Sequence, residues 1–168
     1  SHMGTLKFEH GRISSSRIRD ALSMGEFDLA EQLLGRPYFI MGRVVYGRQL
    51  GRQLGVPTAN IRLQRYRAAL EGVFAVTVMG LDREFEGIAN IGVRPTVDGK
   101  EPLLEVHIFD FDEDIYGRLL TVTFLKKVRD ERTFDGLESL KKQIEQDIAE
   151  TRDWFAIGRP DPRRDGIL

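Results

Sequence analysis

The run Gly55-Val56-Pro57-Thr58-Ala59-Asn60, preceded by Gly42, Gly47 and Gly51, couples a flexible backbone to two small oxygen-bearing side chains. Glycines let backbone N–H groups come close to an anion, and Pro57 fixes φ beside them. The Thr58 hydroxyl and the Asn60 amide oxygen are hard neutral donors of the kind Mg²⁺ accepts. The chemistry on offer is therefore phosphate and Mg²⁺ binding. No G-x-x-x-x-G-K-[ST] run is present, so this is not a Walker A loop, and a glycine-rich hairpin leading into a strand stays open on this segment alone.

A second candidate lies some forty residues on, in Leu103-Leu104-Glu105-Val106-His107-Ile108-Phe109-Asp110-Phe111-Asp112, closed by Asp114-Ile115-Tyr116-Gly117. On a strand, Leu104, Val106 and Ile108 share an apolar face, and Leu103, Glu105, His107 and Phe109 share a mixed one. A carboxylate set in partly apolar surroundings can accept a substrate proton. A solvated glutamate on an exposed face is the alternative. His107 reads as a hydrogen-bonded structural histidine.

Taken together, and in this order, the G-x-P-T-A-N loop, the Glu-x-His-Ile strand and the Asp-x-Tyr-Gly turn resemble riboflavin kinase over residues 36–154. The resemblance implies ATP-dependent phosphorylation of the riboflavin 5′-hydroxyl to FMN, with ADP as the other product. It assigns Glu105 as the catalytic base, and Thr58 and Asn60 as Mg²⁺ ligands. Gly47, Gly51, Gly55, Pro57, Thr58, Ala59 and Asn60 become the nucleotide site, with Arg48 or Arg52 adding charge. Residues 128–134 resemble the family's flap, in which Arg129 matches the flavin-site arginine and Phe134 and Leu137 would supply apolar contact. For Phe134, a hydrophobic staple onto the following helix is an equal reading.

One further piece, Ile13-Ser14-Ser15-Ser16-Arg17-Ile18-Arg19, resembles the last motif of the nucleotidylyltransferase module that precedes the kinase in bifunctional bacterial FAD synthetases, with Ser16 where that family has Thr. The parent protein is accordingly expected to carry an N-terminal FMN adenylyltransferase module. FAD synthesis is not expected of these residues, because the few that precede Ile13 cannot build a Rossmann-like sheet. A non-catalytic flavin- or nucleotide-binding barrel is the rival reading. It would dispense with Glu105.

Composition narrows the field. Lys plus Arg number 25 against 26 Asp plus Glu, a net charge of −1, so no general field recruits nucleic acid or an anionic membrane. There is no cysteine, hence no disulfide framework and no thiolate chemistry. No apolar run is long enough to span a bilayer as a helix. The expectation is a cytoplasmic protein without nucleic-acid or membrane partners.

The elements that must position these groups follow from periodicity. Residues 15–34 show helical spacing broken near Gly25, reading as two short helices ended by Gly35. Residues 38–46, 56–62, 73–81, 84–91, 103–109 and 119–128 are rich in β-branched and aromatic side chains and read as strands, with Asp82-Arg83 as a tight turn. With no helix between them, six strands imply an antiparallel sheet that must close or be covered; together with the resemblance, the expectation is a closed antiparallel, Greek-key-like barrel. A helix opening at Asp135, with Glu138 completing a capping box, should bury Leu137, Leu140, Ile144, Ile148 and Phe155 on one stripe. The expected organisation is mainly β: residues 1–35 as a tag scar (Ser1-His2-Met3) plus helical remnant, 36–157 as barrel and C-terminal helix, and 158–168 as a disordered tail.

Overall fold

A computed structural model describes residues 16–45, 55–63 and 70–158. Residues 16–23 are helical, and a second helix, α1, covers Phe27–Leu34. Gly35 ends it in the left-handed conformation at φ 79°, its N–H returning to the Glu31 carbonyl; only glycine takes that backbone shape without strain. Both helices and their break at Gly25 stand where the sequence pattern puts them.

Six strands follow: β1 Phe39–Val45, β2 Ala59–Arg62, β3 Gly72–Met79, β4 Phe85–Thr96, β5 Gly99–Ile108 and β6 Leu119–Arg129. They close into a barrel in the order β1-β2-β5-β4-β3-β6, every pair antiparallel. Strands β3, β4 and β5 form a meander and β6 returns to lie beside β3, the Greek-key arrangement. The expected barrel is thus observed. Closure matters because it leaves no unpaired edge on a sheet this apolar.

Alternation fills the interior. Ile61, Phe74, Ile91, Leu104, Leu120 and Val122 are all fully buried, and Phe27 of α1 packs edge-on against Phe74 and stacks on Phe124. Burying one such phenylalanine contributes about 2–3 kcal/mol. Gly42 lies within β1, not in a phosphate loop: a side chain there would collide with the Ile61 Cγ2, so its smallness makes room for a core residue.

Several boundaries differ from expectation. Strand β2 begins at Ala59, not residue 56, because Pro57 has no N–H to give a ladder. Strands β4 and β5 run longer, as a hairpin arm turning at Val97-Asp98; there β4 has passed the end of β3, so Pro95 costs no hydrogen bond on that side. The C-terminal helix, α2, is Leu137–Gly158, with Gly136 supplying the first carbonyl to Leu140, so Asp135 is one residue too early to cap it. Leu137 is 57% exposed, and the deeply buried positions of α2 are Asp147 and Thr151. Thr151 Oγ1 donates to the Asp147 carbonyl, Gln143 to the Asp147 carboxylate, and Arg132 to Gln143. The chain divides into two compact units, the first ending at Glu131 and the second beginning at Arg132.

Candidate active site

Antiparallel register orders the site. Val44, Ile61, Leu104 and Ile91 are partners across β1, β2, β5 and β4, and all face the core. Their neighbours one step along each strand face the other way: Val45 opposes Asn60, Asn60 opposes Glu105, Glu105 opposes Asn90, Asn90 opposes Val73, and Val73 opposes Arg129. Cross-strand partners of this kind have Cβ atoms about 4.5–5.5 Å apart on a common face. The expected base Glu105 and the expected metal ligand Asn60 are therefore side by side on adjacent strands, though forty-five residues apart in sequence.

Asn60 is 7% exposed, whereas Glu105, Thr58 and Ala59 are half-buried and Pro57 is exposed. Pro57, Thr58, Ala59 and Asn60 line a cavity of about 430 Å³ together with Val44, Val45, Val106, Ile108 and residues 111–116. Asp114, Ile115 and Tyr116 of the Asp-x-Tyr-Gly turn, singled out in sequence, thus line the same cavity as Thr58 and Asn60. Asp114 accepts the Tyr116 backbone N–H at 3.0 Å, and the Gly117 N–H donates to the Val44 carbonyl, which ties the turn to β1. Glu105 is not part of the cavity wall; it lies beside it, through its register with Asn60.

His107 is the structural histidine expected. Its Nδ1 lies 2.7 Å from the Pro57 carbonyl, which can only accept, so Nδ1 carries the hydrogen. This bond joins β5 to the segment bearing Thr58. Gly55 takes φ 79° at the described end of the glycine-rich loop, whereas Gly47, Gly51, Arg48 and Arg52 lie outside the described residues.

Thr58 and Asn60 offer two neutral hard oxygens of the kind a divalent ion accepts. Among the described residues there is no cluster of three or more His, Cys, Asp or Glu that could hold a metal by itself.

Among the flap residues, Arg129 closes the register row at the end of β6, half-buried, with Nη1 donating to the Asp130 carbonyl at 3.1 Å. Phe134, in the second unit, is half-buried under the Arg132 guanidinium at 5.2 Å. Two residues that sequence reasoning passed over join this face. Asn90 lies beside the Glu131 carboxylate, whose pKa is raised by desolvation against the opposing effects of the Asn90 amide and Arg129, with Glu71 adding to the rise. Glu131 is exposed as a whole residue, yet its Oε1 comes close over Gly92. An asparagine inside an apolar strand (Ile88-Ala89-Asn90-Ile91) was the available signal.

The riboflavin kinase (flavokinase) family model matches residues 34–155. The chain belongs to the riboflavin kinase family. A bifunctional riboflavin kinase/FMN adenylyltransferase of Pseudomonas fluorescens is 49% identical over 162 residues, covering 95% of this chain and 51% of the relative. The chain spans about half the length of the curated relatives it matches. Among solved structures, riboflavin kinase from Trypanosoma brucei superposes with a TM-score of 0.51 at 26% identity, over 70% of this chain and 76% of that one. A Streptococcus pneumoniae protein described as a macrolide-efflux protein superposes with a TM-score of 0.75 at 40% identity, over 83% of this chain and 46% of its own. No described helix is long and apolar enough to cross a membrane.

Proposed function

We propose that this chain transfers the γ-phosphoryl group of ATP to the 5′-hydroxyl of riboflavin, giving FMN and ADP. The observation that carries this reading is the direct opposition of Glu105 to Asn60 across β5 and β2, at the edge of the cavity lined by Thr58. Phosphoryl transfer needs an alcohol in line with phosphorus, an acceptor for its proton, and compensation of phosphate charge. Glu105 is the acceptor: its carboxylate takes the 5′-hydroxyl proton as the oxygen bonds to phosphorus and the bond to ADP breaks. Thr58 and Asn60 would hold Mg²⁺, which when bound offsets charge on the phosphates. Ala59, Pro57 and the glycine-rich backbone, Gly47, Gly51 and Gly55, are assigned to the nucleotide.

Flavin recognition is assigned to Arg129, Phe134 and Leu137, the last with apolar surface exposed. The whole protein is proposed to carry an FMN adenylyltransferase module as well, the second activity in the names of its half-covered relatives, and to work in the cytoplasm. Incubating the chain with riboflavin, ATP and Mg²⁺ and separating the products by chromatography tests the reading. FMN and ADP should appear in equal amounts; ADP without FMN, or neither, would contradict it.

A further inference from the structure

The register row does more than pair Glu105 with Asn60. Read across adjacent strands it runs Asn60 on β2, Glu105 on β5, Asn90 on β4, Val73 on β3 and Arg129 on β6. Each step from β2 to β3 is about 4.8 Å, the spacing between strands, and the last, from Val73 to Arg129, falls at a register shift between β3 and β6. A substrate lying across the strands would meet phosphate chemistry at one end and the arginine at the other. Between the base and Arg129 stand Asn90, half-buried, and then Val73, apolar and buried, so the accessible part of the row ends at Asn90 on this side.

We infer that Asn90, held in orientation by Glu131, is the binding site for the inner hydroxyls of the substrate's polyol chain. The inference rests on the kinase reading above, since it is Glu105 that fixes where the reacting terminal hydroxyl must be. Asn90 is one strand farther from Asn60, a separation that a short polyol chain spans.

The chemistry of the pair fits an alcohol. A hydroxyl both donates and accepts, and a primary amide has an acceptor oxygen and two donor hydrogens. Glu131 is the neighbour of Asn90 on this face, both side chains lying close to Gly92. A carboxylate can only accept, so this neighbour favours the amide orientation that turns N–H₂ toward Glu131 and oxygen away. A methyl group on Gly92 would sit 3.1 Å from the Glu131 Oε1, a tight contact, and 3.4 Å from the Asn90 Oδ1, an ordinary one, so the glycine leaves room chiefly for the Glu131 carboxylate beside Asn90. Arg129 and Glu71 are the charged groups acting on Glu131, of opposite sign. Asn90 would touch substrate. Glu131 acts through Asn90 and is a positioning residue.

The test compares riboflavin with a flavin carrying a 5-hydroxypentyl chain, which keeps the reacting hydroxyl and lacks the three inner ones. Wild type should phosphorylate riboflavin with a kcat/KM roughly 10- to 100-fold above that of the analogue, the worth of about two hydrogen bonds. In Asn90→Ala the advantage should shrink to about threefold or less, through a higher KM for riboflavin and an unchanged KM for the analogue. Glu131→Ala should behave likewise, and Glu131→Gln, which keeps an acceptor for the amide, should restore most of the selectivity. If Asn90→Ala does not fold, Asn90→Asp keeps the volume and loses the donor, and it should lose selectivity equally. Equal losses on both substrates, retained selectivity in the variants, or a wild type indifferent to the inner hydroxyls would each overturn the inference while leaving FMN formation intact. A wild type that makes no FMN would instead sink the kinase reading itself.

Discussion

Replacing His107 by alanine tests how the barrel holds its nucleotide segment. Among the described residues the His107 side chain makes one hydrogen bond, from Nδ1 to the Pro57 carbonyl at 2.7 Å, joining parts of the chain fifty residues apart. Its ring also packs on Phe109, with centroids 5.7 Å apart. The net worth of such a bond is about 0.5–1.5 kcal/mol. Pro57 immediately precedes Thr58, so that energy is what keeps Thr58 in place before nucleotide binds; once lost, it must come from binding. At about 1.4 kcal/mol per tenfold, the apparent KM for MgATP should rise about 2- to 12-fold, with kcat at saturating ATP within about twofold of wild type. His107→Asn, whose amide can donate as Nδ1 does, should recover part of the loss. Steady-state kinetics at varied MgATP, with riboflavin saturating, provide the measurement. A fall in kcat of a hundredfold with KM unchanged would refute this reasoning, since it would put His107 in the chemistry itself.

Thr58→Ala and Asn60→Ala should each raise the Mg²⁺ concentration needed for half-maximal rate together with the KM for ATP, because the ion binds with the phosphates; unchanged Mg²⁺ titration curves in both would refute the metal assignment. Gly42→Ala should destabilise the fold by about 1–3 kcal/mol through collision with the Ile61 Cγ2, and adding Ile61→Leu, which removes that methyl, should recover much of it in urea unfolding. Burial raises the Glu131 pKa above its ordinary 4.5, so the native state holds that proton more tightly than the unfolded chain does. Stability from this group therefore falls as pH climbs from about 4.5 through the native pKa, and thermal melts should show the Tm of Glu131→Gln gaining on wild type across that window; a constant difference would refute the sign.

The barrel was legible because six runs of β-branched and aromatic residues had no helix between them, and because Leu104, Val106 and Ile108 alternate strictly with Glu105 and His107. Alternation says which residues share a face. It cannot say which residue of another strand stands opposite: the pairing of Glu105 with Asn90 is set by the hairpin turn at Val97-Asp98, and that of Asn60 with Glu105 comes only with the long-range pairing of β2 and β5. The strand lengths of β4 and β5 were missed because Pro95 reads as a strand breaker until it is seen to lie beyond the end of β3. Asp98-Gly99, at the tip of that hairpin, was a turn signal left unused. Leu137 fitted the helical stripe by period, yet it sits in the first turn and is mostly exposed. Periodicity overlooks Asp147 and Thr151, which are buried because each has a hydrogen-bond partner nearby in its own helix.

The central claim is that Glu105 takes the proton of the hydroxyl being phosphorylated, and its most direct test is single-turnover FMN formation by Glu105→Gln beside wild type. Glutamine keeps the size and polarity of the side chain and cannot act as the base, so ATP and riboflavin should bind nearly as before while the rate of FMN formation falls about 10²- to 10⁴-fold. FMN formed at the wild-type rate by that variant would contradict the account.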